Sequence, residues 1–215
     1  MVNFDLLSIG HSNIPAERFL AMLRAAGVHA IADVRSAPVS RFCPWFSAKN
    51  LAPLLARDGM SYLAYGDVLG GRPRDAKLYR GGIADYETMA RQPEFGAGLA
   101  RLMADAARCR AKGAICLMCS EREPLECHRC LLLARALAER KLTIGHILFD
   151  GSIEPHTATE RRLLALDGGG GDLFAPGQHE RLTAAYRRRA RAVAYRARAS
   201  KKLPDRSGAR AKAES

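Results

Sequence analysis

No run of apolar residues in this 215-residue chain approaches the roughly 20 needed to cross a bilayer, so a membrane-spanning helix is excluded. The N-terminus has no basic stretch ahead of an apolar core. The first residues therefore read as a strand rather than a secretory signal, and a cytoplasmic setting is expected. In that setting the six cysteines serve as free thiols or metal ligands, not as a disulfide framework. No Gly-Lys-Ser/Thr triplet closes the glycine-rich Leu69-Gly70-Gly71-Arg72-Pro73 stretch, which excludes a P-loop. Acidic residues are scarce at one end only. Residues 181–215 hold 12 Lys and Arg against 2 Asp and Glu, whereas residues 1–180 hold 22 against 20. Most of the net charge of +12 thus belongs to a tail, and the rest of the chain is nearly neutral.

The hydrophobic pattern alternates between two periods. Phe4–Ile9, Ala30–Val34, Met60–Tyr65, Ala114–Cys119 and Thr143–Phe149 are short apolar runs ending in polar or turn residues, and they predict strands. Between them lie helical repeats: Phe19, Leu20, Leu23 and Ala26 after Pro15; Leu51, Leu54 and Leu55; Phe95 through Met103; and Leu125–Arg140. Such alternation predicts a Rossmann-like, three-layer α/β/α fold with a mostly parallel sheet of about five strands. The expected organisation is an α/β domain over residues 1–167, a Gly-rich linker over 168–180 and a basic tail over 181–215, partly helical or disordered.

Ligands of such sheets bind beyond the carboxyl ends of the strands. Strand one delivers His11, Ser12 and Asn13 there, strand two Asp33, Arg35 and later Arg41, and strand four Cys119, Ser120 and Glu121. The densest stretch is Ile115–Cys130, with four cysteines, His128, three glutamates and two arginines. Cys116-x-x-Cys119 and Cys127-x-x-Cys130 have the spacing of a four-cysteine zinc site. Geometry opposes that reading, because residues three apart on a strand point to opposite faces. Cys116 reads as a small buried hydrophobe, and Cys43 and Cys109 have no partner pattern.

Cys119 differs because it sits at a strand end. Pro124 and the surrounding glutamates mark a helix start, and Cys127-His128-Arg129 follows in its first turns, where free N–H groups favour a thiolate or an anion. This pattern admits Cys119 as nucleophile, Glu121, His128 or His11 as proton carriers, and Arg35, Arg129 and Arg41 as anion clamps. Ser12, Asp33, Gly70 and Gly71 complete the expected binding set, the glycines because they permit close backbone approach. The same residues packed in the core, with Arg129 paired to a glutamate, would be purely structural.

Ile9-Gly10-His11-Ser12-Asn13, Asp33-Val34-Arg35 with Pro38, Ser40 and Arg41, Leu69-Gly70-Gly71-Arg72, Leu117-Met118-Cys119-Ser120-Glu121 and Cys127-His128-Arg129, then His146-Ile147, occur in that order. Over about residues 5–150 the chain resembles the prokaryotic family named domain of unknown function 488. The resemblance implies an α/β fold and marks those residues as the family's polar set, but it implies no reaction. The family's second cysteine motif is Cys-His-Arg, which leaves Cys116 and Cys130 outside it. Ser120 stands where most members carry alanine.

The tail carries two further signals. Asp172-Leu173-Phe174, after four glycines, is similar in form to the end of peptides that dock on sliding clamps, but the leading glutamine of such peptides is missing and a segment folding back on the domain fits better. Leu182, Tyr186 and Val193 form a thin apolar stripe among arginines, which suits nucleic-acid backbone contact or a solubilising extension better than a membrane surface. The leading expectation is an enzyme that binds an anionic, phosphate-bearing nucleotide or nucleic-acid substrate at the strand edge. No cofactor is required by the sequence. The alternatives are a non-catalytic nucleic-acid module using residues 181–215, and a metal-binding protein using Cys119, Cys127 and His128.

Overall fold

The computed structural model describes residues 4–168 and 177–197. Asp172-Leu173-Phe174 lies outside the described residues, as do the last residues of the basic tail.

Five parallel strands and one antiparallel strand form the central sheet. β1 (Leu6–Gly10), β2 (Val28–Asp33), β3 (Ser61–Ala64), β6 (Ala114–Cys119) and β7 (Ile144–Ile147) are parallel, and β8 (Ile153–Pro155) pairs antiparallel with β7. The order is β3-β2-β6-β1-β7-β8. β8 was not anticipated from sequence: three residues ending in proline carry no strand period, and proline is tolerated only because this is an edge. β4 (Tyr79–Arg80) and β5 (Ile83–Ala84) make a separate hairpin.

Two apolar cores lie on the two faces of the sheet. α1 (Ala16–Ala25) and α2 (Ala48–Arg57) cover one face, burying Phe19, Leu23, Leu51 and Leu55 against Ile9, Ile31, Cys116 and Met118. α3 (Gly66–Leu69), α4 (Tyr86–Ala90), α5 (Pro93–Cys109), α6 (Arg135–Ala138), α7 (His156–Leu166) and α8 (Gln178–Val193) belong to the other. There Leu99, Leu102, Leu133 and Leu137 meet Ile115, Leu117 and Cys119. Each such leucine contributes about 1.5–3 kcal/mol when fully buried. β6 thus sends Cys116 and Cys119 to opposite faces, as strand alternation requires, and no four-cysteine site can form.

The predicted helix over Leu125–Arg140 is broken. A 3-10 turn spans Pro124–Glu126, with the Glu123 carboxylate accepting from the Leu125 N–H at 3.2 Å, and a π-helical segment, Arg129–Ala134, then runs into α6. π turns occur frequently at functional sites.

The start of the basic tail is docked. α8 packs on α7, burying Ala185 and Tyr186. Arg187 pairs with Glu87 at 2.6 Å, Arg188 pairs with Asp167, and Arg189 reaches the Leu125 carbonyl at 2.8 Å and Glu126 at 3.3 Å. A chain of hydrogen bonds anchors this helix. Tyr186 Oη donates to Glu160 Oε1 at 3.0 Å, so it accepts from His156 Nε2 at 3.1 Å. That leaves His156 Nδ1 to accept from His146 Nε2 at 2.9 Å, and His146 Nδ1 to accept from Ser8 Oγ at 2.6 Å. The order works only while both imidazoles are neutral.

Burial holds His156 down to about 4 and His146 well below the usual histidine range. Both titrate near 6.5 when unfolded, so the unfolded chain binds more protons between those values. The stability from this chain is therefore complete above pH 6.5 and falls as pH drops towards 4. Burial raises the Glu160 carboxyl, which acts in the opposite sense. Denaturant unfolding in chelator should show His156 alone costing about 2 kcal/mol between pH 7 and pH 5. His156→Gln should flatten that slope; an unchanged slope would refute the assignment.

Candidate functional site

β1 and β6 lie side by side, with Gly10 opposite Cys119, and keep pairing past their ends. His11 N donates to Cys119 O and Ser12 N to Ser120 O, both at 2.9 Å. This holds the turn after Cys119 in place. A Cβ on Gly10 would sit 1.8 Å from Glu121 O and 3.0 Å from an Arg129 nitrogen, so only glycine admits the loop at that distance. The loop swings Glu121 back over the strand end, and the Pro124 turn returns the chain so that Cys127 and His128 face Cys119.

Four side chains converge there. Cys119 Sγ and Cys127 Sγ lie 2.9 and 3.1 Å from the same oxygen, Glu121 Oε2. They lie 3.6 and 3.8 Å from His128 Nδ1. All four donor atoms fall within 4.8 Å of one another. The far ring nitrogen of His128 is 3.0 Å from Val34 O. A carbonyl can only accept, so Nε2 carries a proton and donates to it, and Nδ1 faces the sulfurs; burial opposes a charge on this ring, but Cys127 and Glu121 beside it raise its pKa above the ordinary histidine value. Both cysteines, and His128 beside them, are buried, while Glu121 is the least covered of the four.

The electrostatics separate the two thiols. The neighbouring Cys127 and burial push Cys119 well above the ordinary thiol range. Burial opposes ionisation of Cys127 as well, but the hydrogen bond from Cys119 and the charges of Arg129 and His128 hold it well below that range. The Arg129 N–H also donates to Cys127 Sγ at 3.5 Å. Burial and Cys127 raise the Glu121 carboxyl.

A cleft of ≈ 200 Å³ opens onto Cys119, Ser120, Glu121 and His128. Its other walls include Arg35, Ser36, Gly71, Arg72, Tyr86 and Tyr195. The anion clamps expected from sequence are placed elsewhere or engaged. Arg35 touches the cleft, but its guanidinium binds Asp33 at 2.6 and 2.9 Å, Phe46 O at 2.7 Å and His11 Nε2 at 3.1 Å. Asp33 also accepts from Tyr62 Oη at 2.7 Å. Arg129 is fully buried and donates to the carbonyls of Glu121 at 2.5 Å and Arg122 at 3.0 Å, so it shapes the loop rather than facing a ligand. Arg41 lies exposed on a loop that is not part of the cleft wall.

His11 is likewise not in the cleft. Its Nδ1 donates to Ser12 O at 2.7 Å, its ring stacks on Phe46 at 4.1 Å, and burial holds it down to about 4. It is a neutral acceptor that orders Arg35. Ser12 contributes through its backbone, and Gly70 turns over Ser36, leaving Gly71 as the glycine that reaches the cleft. Sequence reasoning named Arg72 only within the Leu69-Gly70-Gly71-Arg72 motif, with no role of its own, and missed Tyr86 and Tyr195. Tyr86 is buried beside the thiols, and its hydroxyl has no hydrogen-bond partner among the described residues. Only the Gly-Gly-Arg spelling hinted at Arg72, and nothing local marks the two tyrosines.

The cluster and the charged cleft beside it make a surface suited to a ligand or a metal ion. Among the described residues no helix is long and apolar enough to cross a membrane. A family model described as "Domain of unknown function DUF488" matches residues 15–136. No curated protein and no solved structure matches the chain.

Proposed function

We propose, for a chain that belongs to the DUF488 family, that the cluster at the end of β6 is a metal centre of the zinc type and that this protein works through it. One observation carries the reading. His128 Nδ1 is aimed, by the Val34 hydrogen bond on the opposite ring nitrogen, at two sulfurs 3.6 and 3.8 Å away. Zn–S bonds of about 2.3 Å and Zn–N bonds of about 2.0–2.1 Å make the S···N edge of a tetrahedron about 3.6 Å. A carbonyl that fixes the tautomer of a ligating imidazole is the usual outer partner of such a ligand. Two thiolates and an imidazole favour zinc over magnesium or calcium.

The electrostatics support ligand roles over a nucleophilic cysteine. Cys119 faces the cleft, but its thiolate is disfavoured. Cys127 is the more readily ionised of the two, but it is buried and does not line the cleft. A metal ion removes this mismatch, because both sulfurs then bind as thiolates and release their protons. Glu121, the least covered donor, completes the set as the exchangeable fourth ligand. Its oxygen needs to move outward by about half an ångström to reach a tetrahedral S···O separation. An ion held by Cys119, Cys127 and His128 is then reachable from the cleft when Glu121 yields its position, which is the arrangement of catalytic rather than purely structural zinc.

The test is metal content and ligand-field spectroscopy. Protein purified without chelator should carry about one equivalent of zinc. Cobalt substitution should give thiolate charge-transfer bands and a tetrahedral visible spectrum. Cys119→Ser and Cys127→Ser should each lower zinc affinity by at least about 100-fold, while Cys116→Ser and Cys130→Ser retain it. Full-strength binding in both Cys119→Ser and Cys127→Ser would sink the proposal.

A further inference from the structure

The loop Leu69–Arg72 is not explained by the metal cluster, and it holds the one cleft arginine that has no carboxylate partner among the described residues. Gly71 lies flat against His128: a Cβ there would come within 2.7 Å of the imidazole ring. The loop is pinned on its other side by Ser36, whose Oγ accepts from the Arg72 N–H at 2.9 Å. Arg72 therefore leaves the loop directly beside a proposed metal ligand.

Its guanidinium is positioned by a different part of the chain. It stacks over the Tyr195 ring, 4.9 Å from the centroid. Tyr195 is held by a strap that adds to the β4–β5 hairpin: Ala84 N donates to Tyr195 O at 2.9 Å, Ala197 N donates to Gly82 O at 2.8 Å, and Arg196 bridges antiparallel to Ile83. The other charges of the cleft are matched. Arg35 is held by Asp33, and Glu126 meets Arg189 at 3.3 Å. Glu121 belongs to the metal cluster.

We infer that Arg72 is the anion-recognising residue of the cleft, gripping the carboxylate or phosphate of a small substrate whose other end meets the metal, and that the Tyr195 strap is what aims it. The inference takes the metal centre as the far end of the same site and adds the substrate class. Guanidinium is suited to this role because its planar fork matches both carboxylate and phosphate, and stacking on a ring leaves the fork's edge free to donate. The strap lies beyond residues 15–136, so the Tyr195 side of the cleft comes from outside the part of the chain that the family model matches, while Tyr86 lies inside it. The ligands Cys119, Cys127 and His128 lie inside it.

The experiment is calorimetric titration of the full-length, zinc-loaded protein with inorganic phosphate and, separately, acetate, with zinc measured on the same samples. Wild type should bind at least one of the two, and the preferred anion identifies the head group. Arg72→Gln should weaken that binding by about 10–100-fold, and Tyr195→Leu by about 3–10-fold, both at unchanged zinc content. Arg187→Gln, on the exposed side of α8, should change nothing. No binding of either anion, or equal affinity in Arg72→Gln, would overturn the inference while a full zinc content left the metal centre standing. Loss of anion affinity in Arg72→Gln in a protein that holds no zinc would retain the anion role and defeat the metal centre instead.

Discussion

Arg129→Leu should cost about 4 kcal/mol of stability or more, although Arg129 touches neither solvent nor the cleft. Its guanidinium is the partner of two carbonyls, those of Glu121 and Arg122. Leucine leaves both without a donor in a buried place, at about 1–3 kcal/mol each. It also removes the positive charge that stabilises the Cys127 thiolate. An apolar side chain fills part of the volume, so the cavity adds little. In a chain of this length the melting temperature should fall by about 8–16 °C. Arg129→Lys should recover only a fraction, because a single ammonium cannot span two carbonyls as a fork does. A melting temperature within a few degrees of wild type for Arg129→Leu would show that the loop holds itself. One guanidinium nitrogen, Nε, has no hydrogen-bond partner among the described residues; nothing in the structure explains it.

Gly10→Ala should be as damaging, by geometry rather than charge. The added carbon would lie 1.8 Å from Glu121 O, and neither group is the end of a flexible side chain. Either β1 or the loop after Cys119 has to move. Gly10 is paired opposite Cys119, so moving β1 disturbs the hydrogen bonds from His11 N and Ser12 N. Moving the loop carries Glu121 away from the sulfurs and breaks the Arg129 contact. A loss of at least about 3 kcal/mol is expected. Zinc capacity should fall together with stability, though no ligand is altered. Thermal unfolding and zinc content measured on one preparation check both. A Gly10→Ala protein that binds zinc normally would mean that the loop position does not matter to the centre.

Much of this architecture was legible before the structure. The strand runs, the helices between them and the gathering of polar residues at strand ends followed from apolar periodicity, because burial on one face or two leaves a direct trace in sequence. Strand alternation separated Cys116 from Cys119 and removed the four-cysteine zinc site. The part played by single residues was not legible where it depends on partners distant in the chain. Arg35, Arg129 and His11 look like site residues because their types are right. Each is engaged by groups that no local pattern identifies: Asp33 and the Phe46 carbonyl, the Glu121 and Arg122 carbonyls, and the Phe46 ring. The pairing of Arg72 with Tyr195 was not legible for the converse reason. They are 123 residues apart, and only the strap on the β4–β5 hairpin brings them together.

By itself, then, the sequence determined the α/β class, the family, and the stretch from Cys119 to Arg129 as the chemically dense part of the chain. Local composition and period suffice for that. Which of those residues share a point in space was decided by tertiary structure alone. The close approach of Gly10, the break of the helix after Cys127 and the Val34 carbonyl behind His128 are contacts between β1, β2 and the β6 loop. They turn a motif that the sequence leaves open between nucleophile, metal ligand and core into four donor atoms facing one another.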